Sequence, residues 1–237
     1  MASPRTPGGG RSLLRASAEA ANRLAPVAVG SLMHQIVERA VEGTGPVRGA
    51  AAWGDTLLHN RDGSVDAATR DAVSITSSMA GAQGFLSGLG GVLAAAVTLP
   101  ANLLGLAVLQ VRLAATIAHI HGYDIDDDRV RLAVLTSLLA EKEIGALVRS
   151  GRLPSTALGL ATAPVYDPAL FATVSDAVLA ALMSRVGGKR MVVAVARRVP
   201  VLGGIVGAGA DAAGTWYVAA GVRAQLPVRR ASTPKAH

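Results

Sequence analysis

From Ala72 to Val111 the chain runs for forty residues without a charged side chain. Apolar surface is worth about 25 cal/mol per Å² when it leaves water, so a stretch of this kind must be wrapped by other helices or shared with a membrane. Pro100 divides it, and a proline favours the first turn of a helix. The spacing therefore predicts two helical arms, one ending near Val97 and one running from Pro100 to about His121 before Gly122. A bilayer core needs about 20 apolar helical residues. The first arm is that long but carries Gly81, Gly84, Gly88, Gly90 and Gly91. Each glycine costs about 1 kcal/mol of helix propensity relative to alanine. The second arm carries Gln110, Arg112, His119 and His121, and an arginine at mid-bilayer costs about 2.5–3.5 kcal/mol on insertion scales. Neither arm reads as an independent span. A hairpin buried in a helical core and a hairpin that lies in or dips into a membrane both remain open.

The rest of the chain shows helical spacing and few strand signals. A first helical stretch is expected over about Ser12–Glu42, with Pro26 as a break, then a loop over Gly43–Pro46. A short helix over Val47–His59 and a turn at Asn60–Gly63 come next, with Ser64 capping the helix after them. Asp124, Asp126, Asp127 and Asp128 place acid at the start of a helix expected to reach Val148. Pro154, Pro164 and Pro168 punctuate the next region. A helix from about Pro168 to Arg185 should stop at Gly187-Gly188, before a short basic helix over Lys189–Arg198. Pro200 opens the last apolar helix. The fold class is all-α: one helical domain, residues 11–226, of about seven to nine helices around a central glycine-rich hairpin. Residues 1–10 and the basic tail 227–237 are expected to be disordered.

Charge is placed unevenly. Residues 185–237 hold nine basic side chains and one acid, Asp211, which accounts for the whole net charge of +7. A basic end beside apolar helices points to an anionic membrane surface as partner. Nucleic acid is disfavoured, because 3% aromatic content supplies no stacking platform and no nucleic-acid-binding signature is present. Cysteine is absent, which excludes disulfides, thiolate metal sites and a cysteine nucleophile and fits a reducing compartment. The first residues are polar and rich in Gly and Pro, and Arg15, Glu19 and Arg23 put charges into the segment after them, so no secretory signal is read there.

Several pieces recur in a known order. They are Gly84-Phe85 with Gly88, Gly90 and Gly91; Leu99-Pro100-Ala101-Asn102-Leu103; Gln110-Val111-Arg112; Ile117-Ala118; Gly122-Tyr123-Asp124; and Pro200-Val201-Leu202-Gly203-Gly204 with Gly207 and Asp211. In this order and spacing the chain resembles the EcsC family of bacterial proteins over about residues 65–222. Where the family usually has Asp, this chain has Asn102. The resemblance implies a helical fold and a membrane context, since the family is named for a protein encoded beside an ABC transporter, and it allows a membrane-protein partner. It implies no reaction and no cofactor. A weaker likeness, to a hydrophobic helical domain that follows some bacterial GTPase domains, also points toward the membrane.

The residues themselves assign no catalytic, cofactor or metal site. His119 and His121 lie about 200° apart on a helix and cannot share a metal. Asp124, Asp126 and Asp128 imitate the opening of a calcium loop, but Arg129 and Leu135 stand where glycine and glutamate are required. His34 and Glu38 form no HExxH pattern, and Gly88–Gly91 lacks the Lys-Ser/Thr of a P-loop. No Gly-x-Ser-x-Gly elbow occurs. Gly203, Gly207 and Asp211 share one helix face, and small residues there admit a close neighbour. Arg112 and Asp211 are isolated charges in two apolar helices, so an ion pair between them is expected. The functional expectation is a membrane-associated helical protein on the cytoplasmic side, acting through lipid or protein contacts. The alternative is a soluble helical protein holding a hydrophobic ligand in an apolar groove. An enzyme such as a hydrolase has no supporting motif.

Overall fold

A computed structural model describes residues 30–44, 47–89, 91–196 and 200–229; within these, 44, 47, 84–104, 183, 185–208 and 210 are described as backbone alone. The protein is all-α, with nine helices among the described residues. Helix α1 covers residues 30–42. A small antiparallel pair follows, β1 (Gly43–Thr44) and β2 (Val47–Arg48), with Gly43 opposite Arg48 and Thr44 opposite Val47. Then come α2 (Ala50–Asn60), α3 (Val65–Leu89), α4 (Gly91–Ile120), α5 (Asp128–Thr136), α6 (Glu141–Arg149), α7 (Ala157–Ala161), α8 (Ala169–Ala196) and α9 (Pro200–Gln225).

Helix α4 is the axis. Residues 110–118 are buried at every position, so this segment is enclosed on all sides rather than along one stripe. Helices α2, α3, α5 and α9 all pack against it. Ala114, Ala115 and Ala118 bring neighbours close, while Leu113 and Ile117 fill the space between. The most extensive helix pairing is α3 with α9. An ion pair at 3.9 Å between Asp66, near the start of α3, and Arg223, near the end of α9, shows that the two run antiparallel.

The long uncharged stretch is a hairpin, but its corner is not Pro100. Helix α3 ends at Leu89 and α4 begins at Gly91, leaving Pro100 inside a helix. Proline in a helix interior costs about 3 kcal/mol and removes one backbone hydrogen bond. Glycines at 88, 90 and 91 make the chain easier to break ten residues earlier. Likewise Gly187-Gly188 does not stop α8, which continues to Ala196, so the basic segment extends that helix instead of forming its own. Two glycines lower helix propensity by about 2 kcal/mol together, which a long helix absorbs.

The helix expected to reach Val148 is two helices. The Thr136 hydroxyl donates to the Leu132 carbonyl at 2.8 Å and the Ser137 hydroxyl to Val134 at 2.6 Å. Such bonds compete with the helical ladder. The Glu143 carboxylate then accepts from the Ala140 N–H at 2.7 Å and starts α6. Ser64 caps α3 weakly, at 3.4 Å, and Asp127 caps α5 by accepting from the Arg129 N–H at 2.8 Å. The segment 12–29 of the expected first helix lies outside the described residues.

Enclosure of α4 makes a sharp stability prediction. Leu113→Ala, at a fully buried position, should lower unfolding free energy by about 2–5 kcal/mol in urea titrations. Ile75→Ala, which is 44% exposed on α3, should change it by about 0.5 kcal/mol or less. Equal losses at both positions would mean that α4 is not the buried axis.

Candidate functional site

Arg112 is the charge that the fold encloses. Only 9% of the residue is exposed, and its guanidinium carbon lies 4.4 Å from the centroid of the Trp53 ring on α2. Its Nε is buried without a hydrogen-bond acceptor, and burial pulls its pKa below the usual arginine value. The expected ion pair with Asp211 is not formed. Arg112 turns toward α2, whereas α9, which carries Asp211, has α3 as its main partner. Gln110 is 3% exposed and its Oε1 also lacks a partner. It stands about 200° away around the helix, so the two polar groups serve different sides of α4.

The Gly122-Tyr123-Asp124 piece has a structural task. Gly122 takes φ +89°, the left-handed conformation, and closes α4 with two reversed bonds: Gly122 N–H to the His119 carbonyl at 2.9 Å and Tyr123 N–H to Ala118 at 3.0 Å. The chain leaving this cap grips the end of α9. The Tyr123 hydroxyl donates to the Pro227 carbonyl at 3.0 Å, and the Arg229 N–H donates to the His121 carbonyl at 3.0 Å. The Arg229 guanidinium lies 5.3 Å from the Tyr123 ring centroid. His121 Nδ1 donates to the Leu226 carbonyl at 2.6 Å. Asp124 accepts from the Asp126 N–H at 3.0 Å, shaping the turn into α5. Residues 227–229, read from the sequence as the start of a loose tail, are fastened here.

His119 is occupied elsewhere. Its Nε2 lies 2.7 Å from the Asp55 carboxylate, and its ring crosses the space beside Gly54, where a Cβ would stand 2.8 Å from Cδ2. Glycine at 54 therefore permits α2 to approach α4 closely. No group of three His, Asp or Glu side chains among the described residues is placed to hold a metal ion.

A second feature has no counterpart in the sequence pattern. A cleft of about 410 Å³ opens between α5, α7 and the start of α8, lined by Leu132, Leu160, Leu170, Tyr166, Arg129 and Arg152, among others. Arg129 is committed to its neighbours: Nε donates to Asp127 at 3.0 Å and a terminal nitrogen donates to the Ala163 carbonyl at 2.7 Å. Burial, helped by the carboxylates of Asp128 and Asp167, raises the Tyr166 phenol above its usual range. The three prolines of this region were visible in the sequence, but a cleft between non-adjacent turns leaves no periodic trace.

A third feature is an exposed apolar girdle on the α3–α9 pair. Ile75 and Met79, one turn apart on α3, are each 44% exposed; Trp216 and Tyr217 on α9 are 55% and 58% exposed. Counting along the antiparallel pair from Asp66–Arg223 brings Trp216 level with Val73, to about one turn. The four side chains thus fall within a band about two turns deep along the pair, with Met79 at its far edge. Beyond them lie the helix ends at Leu89 and Pro200. Gly84, Gly91, Pro100, Asn102, Pro200, Gly203 and Gly207 all fall on that side, on helical backbone whose side-chain surroundings are outside the described residues. No helix among the described residues is long and apolar enough to cross a membrane.

The fold and these features define a helical protein built on an antiparallel hairpin, with a buried cation at its axis. Comparisons with protein-family models, curated proteins and solved structures find no match for the chain.

The clasp at the end of α4 makes the protein pH-sensitive. Burial is the main force lowering the His121 pKa; the Arg223 charge adds to it, while the Leu226 bond and Asp66 oppose it. The unfolded chain therefore takes up a proton near the ordinary value of about 6.5, before the folded protein does. This stability is present above that pH and is lost as pH falls through the window between the two values. His121→Gln, which keeps a donor for Leu226 and cannot titrate, should flatten the fall in Tm below about pH 6.5. An unchanged slope would assign that pH dependence to other groups.

Proposed function

We propose that this chain is an EcsC-type protein that works at an anionic membrane surface on the cytoplasmic side, peripherally or partly inserted, through lipid or protein contacts. The girdle of Ile75, Met79, Trp216 and Tyr217 carries this reading. Tryptophan and tyrosine with one apolar and one polar edge favour the headgroup level of a bilayer. Exposed aromatic and aliphatic side chains within one band about two turns deep, on two packed helices, give such a protein a level at which to float. On the far side of the girdle the α3–α4 hairpin brings no charge between Ala72 and Val111. In the sequence, Arg185, Lys189, Arg190, Arg197 and Arg198 precede α9. Each basic side chain near an anionic surface is worth about 1 kcal/mol, falling off within a Debye length.

The cleft beside Tyr166 supports a second reading, in which a hydrophobic ligand binds there. Its volume of about 410 Å³ lies in the range of small-molecule sites, and its walls are mostly apolar. The cleft lies on the α5–α7–α8 side, away from the α3–α9 girdle, so the two readings answer to different variants.

Vesicle sedimentation tests the membrane reading. The protein should bind vesicles of phosphatidylglycerol and phosphatidylcholine better than phosphatidylcholine alone, and less as salt rises. Ile75→Ser with Met79→Ser should weaken binding about thirtyfold, because each side chain forfeits on the order of 1 kcal/mol of apolar burial. Leu160→Ser, in the cleft, should leave vesicle binding unchanged. Full recovery in the supernatant with both vesicle types would overturn the proposal. Loss of vesicle binding in Leu160→Ser alone would favour the cleft.

A further inference from the structure

Arg112 poses a problem of charge that the described residues do not solve. A guanidinium offers five N–H donors and stays protonated in proteins. Arg112 is nine-tenths buried, yet its Nε meets no acceptor and it forms no ion pair with any acid among the described residues. Those residues include every Asp and Glu of the chain except Glu19. The Trp53 ring, 4.4 Å away, attracts the cation through one face but accepts no N–H bond in the plane of the fork. Buried cations in folded proteins are paired, and this one rests on an aromatic ring with its Nε–H unspent.

Its height in the molecule bears on what could pair with it. The Gln83 amide nitrogen lies 2.7 Å from where a Cβ on Gly105 would stand, which sets the register of α3 against α4. Counting from that contact brings Arg112 level with Thr76, to about one turn. Thr76 lies between Ile75 and Met79, so Arg112 stands at the height of the exposed girdle, on the α2 side of the hairpin. In a protein floating at that plane, the groups at this height are lipid headgroups.

We propose that Arg112, clamped by Trp53, is a binding site for the phosphate of a single lipid headgroup. The arginine fork matches two phosphate oxygens with two parallel charge-assisted bonds, and the small remaining exposure gives those oxygens an edge to reach. The bound anion supplies the counter-charge that the described residues do not. This inference rests on the membrane-surface reading and deepens it, from attraction to a charged surface to recognition of one lipid. Trp53 is then the ring that fixes the fork in place, and Arg112→Lys is not a conservative change, because an ammonium loses the paired geometry.

The two tryptophans make the test direct, since Trp53 lies under Arg112 and Trp216 lies on the girdle. With 5-fluorotryptophan incorporated, the full chain gives one fluorine signal for each, assigned by Trp53→Phe. Titration with monomeric dihexanoyl phosphatidate should shift the Trp53 signal saturably. The affinity should fall about tenfold or more in Arg112→Lys, and the shift should vanish in Arg112→Gln. If Arg112→Gln fails to fold, the wild-type and Arg112→Lys titrations still decide. An equal affinity for inorganic phosphate would overturn the lipid assignment and leave a free-phosphate site. A Trp53 signal that moves with neither ligand overturns the site altogether. Vesicles report the membrane reading separately: a Trp216 signal that broadens on vesicles while Trp53 ignores phosphatidate keeps that reading and removes the site.

Discussion

Enclosure of the α4 segment from Gln110 to Ala118 governs the rest of the structure. A helix buried on every side must bring no unpaired polar group, or must find each one a partner. This segment meets most of that demand with Ala, Val, Leu and Ile. Thr116 adds a bond from its hydroxyl to the Ala50 carbonyl at 3.3 Å, which ties α2 to the axis. Gln110, whose Oε1 has no partner, departs from this, and so does Arg112. Its stem is covered by α2 and its charge rests on an aromatic face. Such an arrangement costs stability, so its presence in an otherwise apolar axis is the strongest sign of a task beyond packing.

The two ends of the α3–α4 hairpin are built from different chemistry. At one end, Gly122, Tyr123, His121 and Arg229 form a clasp of backbone and ring contacts that closes α4 and holds the exit of α9. Charge is dense there, with Arg61 donating to Asp71 at 2.6 and 2.9 Å nearby in sequence and Asp66 reaching Arg223. At the other end the hairpin has no charge of either sign. The girdle of Ile75, Met79, Trp216 and Tyr217 falls between. A polar, fastened end and an apolar, charge-free end are what the proposed membrane reading requires of a protein that meets water on one side and lipid on the other.

Much of the helical fold was legible. The all-α class, the Pro200 start of α9, the Ser64 cap, the acid at the start of α5 and the glycine stop at 122 all follow from local chemistry. The errors share a cause. Pro100 and Gly187-Gly188 were read as breaks because each disfavours a helix locally, but helices of 30 and 28 residues run through them. The Arg112 partner was misjudged because isolation along the sequence does not say which way a side chain faces. That Arg112 is enclosed could be read from its setting; that it turns to Trp53 on α2 rather than toward α9 could not. The girdle was equally hidden, since Ile75 and Trp216 come together only through the α3–α9 pairing.

The central claim is that the protein floats at the height of its girdle, with the charge-free end toward the lipid. Depth-dependent quenching of Trp216 by lipids brominated at different positions along the acyl chain measures that height directly, in a Trp53→Phe chain where Trp216 is the one remaining tryptophan. The account predicts strong quenching by bromines near the headgroup and weak quenching by those near the bilayer centre. No quenching at any depth, from protein that sediments with the vesicles, would contradict it.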